Sequence, residues 1–225
     1  MGSSVLLLGV LGIIIQCIFI VIEHQKKYVP AVVLKGSASV IFCIIGYLGY
    51  SNTINTEFGK MVFIGLIMGA IGDILLNLRF VFEKVGQKIF LAGIAAFFTG
   101  HILYLVALIP LSTNLVPCLV VGVAVAATIL SWIFKTLTVK LAFKLFGIFY
   151  IGAIVVMTSV AIGNVITIGS TNAIMYAIGA VLFTLSDIVL IFNTFGSVQK
   201  YSMRIINLLL YYVGQLLIAC SLFFI

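Results

Sequence analysis

The chain has 225 residues, 64% of them hydrophobic and 8% charged, against roughly 45–50% apolar and 25% charged in a soluble domain. That balance excludes a water-soluble globular protein. The net charge of +7 would suit nucleic acid, but the basic residues sit in short connections between apolar stretches, so the expected partner is membrane lipid, with no nucleic acid.

Apolar stretches of about 20 residues, each enough for a helix to cross a roughly 30 Å hydrocarbon core, fall near 3–22, 31–50, 60–78, 89–109, 115–134, 141–162, 173–193 and 204–225. They predict an all-α polytopic membrane protein of eight transmembrane helices, forming a single domain over 1–225. Helix 1 opens "MGSSVLLLGV". It lacks the positive region of a cleaved signal peptide, and Leu6 stands where a myristoylation signal needs Ser or Thr, so the helix is expected to remain in place. Helix 2 carries Lys35 near its start. Helix 3 holds Asp73 and Asn77, helix 4 His101 and Tyr104, helix 7 Ser186 and Asp187, and helix 8 Tyr211, Tyr212 and Gln215. Cys17, Cys43, Cys118 and Cys220 fall inside spans without metal-type spacing and read as small buried hydrophobes.

Ten of the twelve basic residues lie at alternate loops: Lys26 and Lys27; Arg79, Lys84 and Lys88; Lys135, Lys140 and Lys144; Lys200 and Arg204. The intervening loops hold only Lys60, and Lys35 lies within a span. By the positive-inside rule the first set is cytoplasmic and both termini face away from the cytoplasm. This fits an integral protein of a plasma or endoplasmic reticulum type membrane.

A charge at the centre of a membrane helix costs about 2.5–3.5 kcal/mol, so the polar residues within the spans are the informative ones. Asp73 and Asp187 each precede the basic end of their helix by about six residues, roughly 9–10 Å. Tyr211 enters to a similar depth and His101 to roughly 20 Å. Residues three or four apart share a helix face, giving the stripes Gly65, Gly69, Asp73, Asn77; Gly93, Phe97, His101, Tyr104; Gly179, Phe183, Asp187; and Asn207, Tyr211, Gln215. The expectation is one cavity in the inner half of the membrane, with small and aromatic residues walling an acyl-chain slot. Plainer readings stand beside it. Gln215 or His101 alone serves as interhelical hydrogen-bond glue, Tyr104 as interfacial belt, and Lys35 as a snorkelling side chain or the partner of one aspartate.

Asp187 follows Asp73 by 114 residues and Gln215 follows His101 by the same interval, with "GDILL" and "SDIVL" in register. Helices 1–4 and 5–8 then read as two parallel four-helix halves.

At these residues the chain resembles the lysoplasmalogenase (YhhN-type) family of eight-helix membrane proteins. The matching pieces are "GDILL" (Gly72 to Leu76), Phe90-x2-Gly93-x3-Phe97-x3-His101-x2-Tyr104, "GAVLFTLSDIVL" (Gly179 to Leu190) and "YYVGQLLI" (Tyr211 to Ile218), with Lys35. The resemblance implies hydrolysis of the vinyl ether bond of a lysophospholipid, the lysoplasmalogen, to a fatty aldehyde and a glycerophospho-base. Vinyl ethers are cleaved by acid, through protonation of the alkene carbon distal to oxygen. The enzyme therefore needs a carboxylic acid still protonated near neutral pH, where an ordinary carboxyl is ionised. Burial and a neighbouring carboxylate both favour the protonated form. Asp73 and Asp187 are the expected acid and base, in an order left open, with His101 assisting. Tyr211, Tyr212, Gln215, Asn77, Ser186 and Tyr104 are expected around the substrate, and Lys35 at its phosphate. There is no glycine-rich phosphate loop, no G-x-S-x-G elbow and no metal-type carboxyl spacing, so no cofactor or metal is expected. Two rivals use buried carboxyls as well: a proton-coupled transporter or lipid-binding protein, and an intramembrane aspartyl protease, whose G-x-G-D and Y-D pattern is replaced here by "AIGD" and "LSD".

Overall fold

In lipid every backbone N–H and C=O must be satisfied within its own segment, which leaves helices as the solution for so apolar a chain. The computed structural model describes residues 2–52, 56–138 and 141–225 and contains no strand among them. Eight helices run α1 (Ser3–His24), α2 (Tyr28–Tyr50), α3 (Thr56–Leu78), α4 (Gly86–Leu108), α5 (Leu115–Thr136), α6 (Leu141–Ile168), α7 (Thr171–Phe195) and α8 (Tyr201–Ser221). All eight are long and apolar enough to cross a membrane. Lys140, one of the basic loop residues, lies outside the described residues.

Several boundaries move from the sequence reading for local reasons. Helix α2 begins at Tyr28, before the predicted 31, because Pro30 sits in its first turn, where a missing N–H is not needed. Pro117 takes the same place in α5. Helix α6 continues past 162 to Ile168 because the polar Asn164 is buried and donates to the Leu108 carbonyl, 3.3 Å away. The turn to α7 then needs only two residues. Gly169 adopts φ +63° and its N–H bonds the Val165 carbonyl, while Ser170 caps α7 by accepting from the Ala173 N–H at 3.2 Å.

Six helices close into a ring in the order α2, α3, α4, α6, α7, α8 and back to α2. Helix α1 packs outside it on α2 and α8, and α5 packs outside on α6. Exchanging α1–α4 with α5–α8 reproduces the ring. The detail at the tightest contacts repeats as well. A methyl on Gly100 of α4 would sit 3.1 Å from the Gly65 carbonyl oxygen and 3.5 Å from Met68 Cβ on α3. One on Gly214 of α8, 114 residues on, would sit 2.8 Å from the Gly179 carbonyl oxygen and 3.5 Å from Leu182 Cβ on α7. The two halves thus share one close helix pair, the signature of parallel repeats about an axis along the membrane normal.

Burial is inverted relative to a soluble protein. Leu7, Val29, Val116, Leu141 and Ile166 are exposed, whereas Gln16, Lys35, Ser39, Asp73, His101, Ser186, Asp187 and Gln215 are buried. The apolar exterior faces acyl chains and the polar groups turn into the ring. Of the cysteines, Cys118 is buried as expected, but Cys43 and Cys220 are half-buried and Cys17 is exposed on α1. The outlying position of α1 exposes a face that span membership alone does not reveal.

Candidate functional site

Helices α3 and α7 carry their aspartates into a common cavity. Lys35, Asp73, Asn77, Phe97, Tyr150, Asp187 and Tyr211 line its inner part, and Phe134, Phe146, Phe195 and Arg204 its outer part. The outer residues all lie at the ends of helices that carry the basic loops, so the cavity runs from the two carboxyls toward that surface. Its volume is about 120 Å³, small beside the roughly 300–1,000 Å³ of drug-sized ligand pockets. Both carboxyls line this one cavity.

The two aspartates have unequal surroundings. Asp73 Oδ1 lies 3.3 Å from the Lys35 ammonium, and its Oδ2 accepts from the Ser39 hydroxyl at 2.5 Å and the Tyr211 hydroxyl at 2.8 Å. Lys35 also donates to Gln16 Oε1 at 3.2 Å, and its Nζ stands 4.5 Å from the centre of the Tyr211 ring. A buried carboxylate and ammonium held by this many partners form a compensated ion pair. Among the described residues Asp187 has no cation within ion-pair distance. Its one hydrogen bond among the described residues comes from the Tyr150 hydroxyl, 2.6 Å from Oδ2.

This inequality is a broken symmetry. Tyr211 minus 114 is Phe97, which lacks the hydroxyl, and the two rings meet edge to face at 5.8 Å. The neutral Tyr150 of α6 serves Asp187 as the charged Lys35 of α2 serves Asp73. Near-equivalent backbones thus carry one charged and one uncharged partner set.

A sequence profile of the YhhN family matches residues 30–222. The chain belongs to the YhhN family. No curated protein and no solved structure matches it. Within this YhhN-family chain, the residues singled out from sequence divide into three groups.

Asp73, Asp187, Lys35, Asn77 and Tyr211 line the slot. Lys35 does not snorkel: it is 1% exposed and its ammonium is held by Gln16 and Asp73.

A second group braces the ring and does not line the slot. The Tyr104 hydroxyl donates to Gln215 Oε1 at 2.9 Å, so Tyr104 is a buried brace between α4 and α8 and not interfacial belt. Tyr212 donates to the Ala38 carbonyl at 2.9 Å. Ser186 exchanges hydrogen bonds with Asn207 of α8 at 2.8 to 3.0 Å. The expected glycine walls are filled in the same way, Gly65 by the Tyr104 ring and Gly69 by Gln215.

His101 stands apart. It is 1% exposed, neither ring nitrogen has a hydrogen-bond partner among the described residues, and it meets Phe183 at 4.5 Å and Tyr150 at 5.7 Å between ring centres. It packs against Tyr150, the hydrogen-bond partner of Asp187. Phe183, expected to wall the slot, packs on His101 behind it.

Gln16, Ser39 and Tyr150 were missed from sequence. Gln16 and Ser39 are ordinary polar residues in apolar helices, and Tyr150 lies in "GIFYIG" among other aromatics. The only available signal was the repeat. Lys35 plus about 114 points to the Phe149–Tyr150 pair.

Proposed function

We propose that this protein is a membrane-embedded hydrolase that cleaves the vinyl ether bond of a lysoplasmalogen or closely related lysolipid, with Asp187 as the acid and Asp73 as the base. Family membership suggests a lysoplasmalogenase-type function. The observation that carries the reading is the pair of aspartates on one apolar slot, only one of which has a counterion. A carboxylate beside an ammonium is stabilised ionised, whereas a carboxyl facing a phenol and apolar walls is suited to keep its proton.

In this mechanism Asp187 delivers its proton to the alkene carbon distal to oxygen, and the positive charge that develops on the O–C unit is stabilised by the Asp73 carboxylate. Water adds to the carbon bonded to oxygen and gives a proton to Asp73, forming a hemiacetal. In the collapse, Asp73 returns the proton to the departing glycerol oxygen and Asp187 takes the hemiacetal hydroxyl proton. The products are a fatty aldehyde and the glycerophospho-base, with both carboxyls restored and one water consumed. Lys35 keeps Asp73 ionised between steps, and Tyr150 orients Asp187.

The test is aldehyde release from a lysoplasmalogen by purified protein in detergent. Asp73→Asn and Asp187→Asn each abolish it while the protein remains folded, because Asn keeps the shape and loses the titrating proton. Full activity in either variant removes the paired-carboxyl mechanism. A wild type that releases no aldehyde but moves protons or solute in proteoliposomes replaces the hydrolase with the transporter.

A further inference from the structure

A second polar feature lies where the slot opens. Arg79 follows α3 directly, and its guanidinium carbon stands 4.5 Å from the centres of both the Phe80 and Phe90 rings. Its Nε is buried without a hydrogen-bond partner, and it makes no ion pair among the described residues. Phe90 lines the slot and also a cleft formed with Arg79, Glu83 and Gln87. Glu83 is exposed in that cleft and does not pair with Arg79. Arg204 of α8 also lines the slot. Its guanidinium grips Glu23 at 2.6 and 3.0 Å and also donates to Asn207 at 3.3 Å. Glu23 offsets Arg204, so Arg79 is the uncompensated charge. Burial pushes the Arg79 guanidinium down to about 10, the neighbouring Arg204 charge pushes the same way and Glu23 opposes. It stays charged at neutral pH.

We infer that Arg79, with Arg204, seats a phosphate carried on the glycerol end of the lipid that occupies the slot. This rests on the reading that the slot takes a lysolipid. The spacing supports it. Arg79 lies six residues beyond Asp73, just past the end of α3, and Arg204 seven residues before Tyr211 on α8, an axial rise of roughly 9 Å from Asp73 and roughly 10–11 Å from Tyr211. In a glycerophospholipid six bonds separate the carbon that water attacks from phosphorus, roughly 7 Å when extended. That is somewhat less than the axial separation, and the arginine side chains cover the remainder. A guanidinium presents a planar fork that matches phosphate, and the two aromatic rings hold this one flat.

The test uses ligands that cannot turn over. Thermal unfolding of the detergent-purified protein is followed with a saturated 1-alkyl lysophosphocholine, with the 1-alkylglycerol lacking phosphate, and with inorganic phosphate, and affinities are taken from the stabilisation. Wild type binds the phospholipid at least tenfold more tightly than the alkylglycerol. Arg79→Gln loses that preference, and Arg79→Lys keeps part of it. Equal affinity of wild type for the two lipids overturns the proposal, as does a full preference in Arg79→Gln. Inorganic phosphate binding as tightly as the phospholipid overturns the lipid assignment in favour of a soluble phosphate. Neither lipid has an alkene to protonate, so absence of aldehyde release from a lysoplasmalogen alongside a retained phosphate preference would remove the hydrolase and leave this site standing.

Discussion

Asp73 is held by three side chains and Asp187 by one, so substitutions around them should act differently. Lys35→Met leaves Asp73 buried without its cation, and breaking a buried pair from one side costs about 3–5 kcal/mol. We expect a loss of kcat of at least about 100-fold, with a lower unfolding temperature. Removing both charges in Lys35→Met/Asp73→Asn restores much of the stability and none of the activity. A double variant no more stable than Lys35→Met would show that the pair is not the source of the cost. Tyr150→Phe deletes one hydrogen bond to a carboxyl, worth about 1.5–3 kcal/mol, so kcat falls roughly 10- to 100-fold with little change in KM. Wild-type kcat in Tyr150→Phe would end its role as the group that positions Asp187.

At the scale of helices, the glycine pairs let α3 meet α4, and α7 meet α8, backbone to backbone. A Gly214→Ala methyl would also come 3.2 Å from the Phe183 amide nitrogen, and backbone cannot rotate aside as a side chain can. Gly214→Ala should destabilise by about 1–3 kcal/mol. It would also shift α7 and so loosen the Asp187 setting. Gly152 on α6 has open space where its Cβ would go, and Gly152→Ala should be neutral or stabilising by up to about 1 kcal/mol. Thermal unfolding of the two variants side by side checks the pair. Equal effects would deny the close approach its energetic weight.

For the whole molecule, the mouth of the slot and the basic loops share one side. If that side is cytoplasmic, as the charge asymmetry predicts, then reporters fused at Gly2 and Ile225 both read non-cytoplasmic. Cytoplasmic signal from both would place the mouth on the other leaflet. The narrow slot adds a selectivity. On the proposed function the narrow cavity would take one acyl chain, and a second chain would need a groove of its own. Lysolipids should therefore be cleaved at least tenfold more efficiently in kcat/KM than intact plasmalogens, and equal rates on both would require a wider opening than the slot has.

The eight spans, their all-helical character and the repeat were legible in the sequence because lipid imposes rules that act locally. A stretch of about 20 apolar residues must be helical, and a carboxyl inside one needs a reason to be there. Asp73, Asp187, Lys35 and Tyr211 stood out on that ground, and the slot gathers them. What the sequence withheld was pairing. Gln16 is 19 residues from Lys35 and Tyr150 is 37 from Asp187, and no periodicity along a helix says which face meets which neighbour. The same limit hid that Tyr104, Tyr212, Gln215 and Ser186 bond between helices and do not line the slot. Polar residues that share depth look alike along the chain, and only helix rotation and the closing of the ring separate a hydroxyl that faces the slot from one that faces a carbonyl. Tertiary packing likewise decided that Asp73 has a cation and Asp187 does not, because that difference lies between α2 and α6, in the side chains that two near-equivalent helices turn toward the same axis.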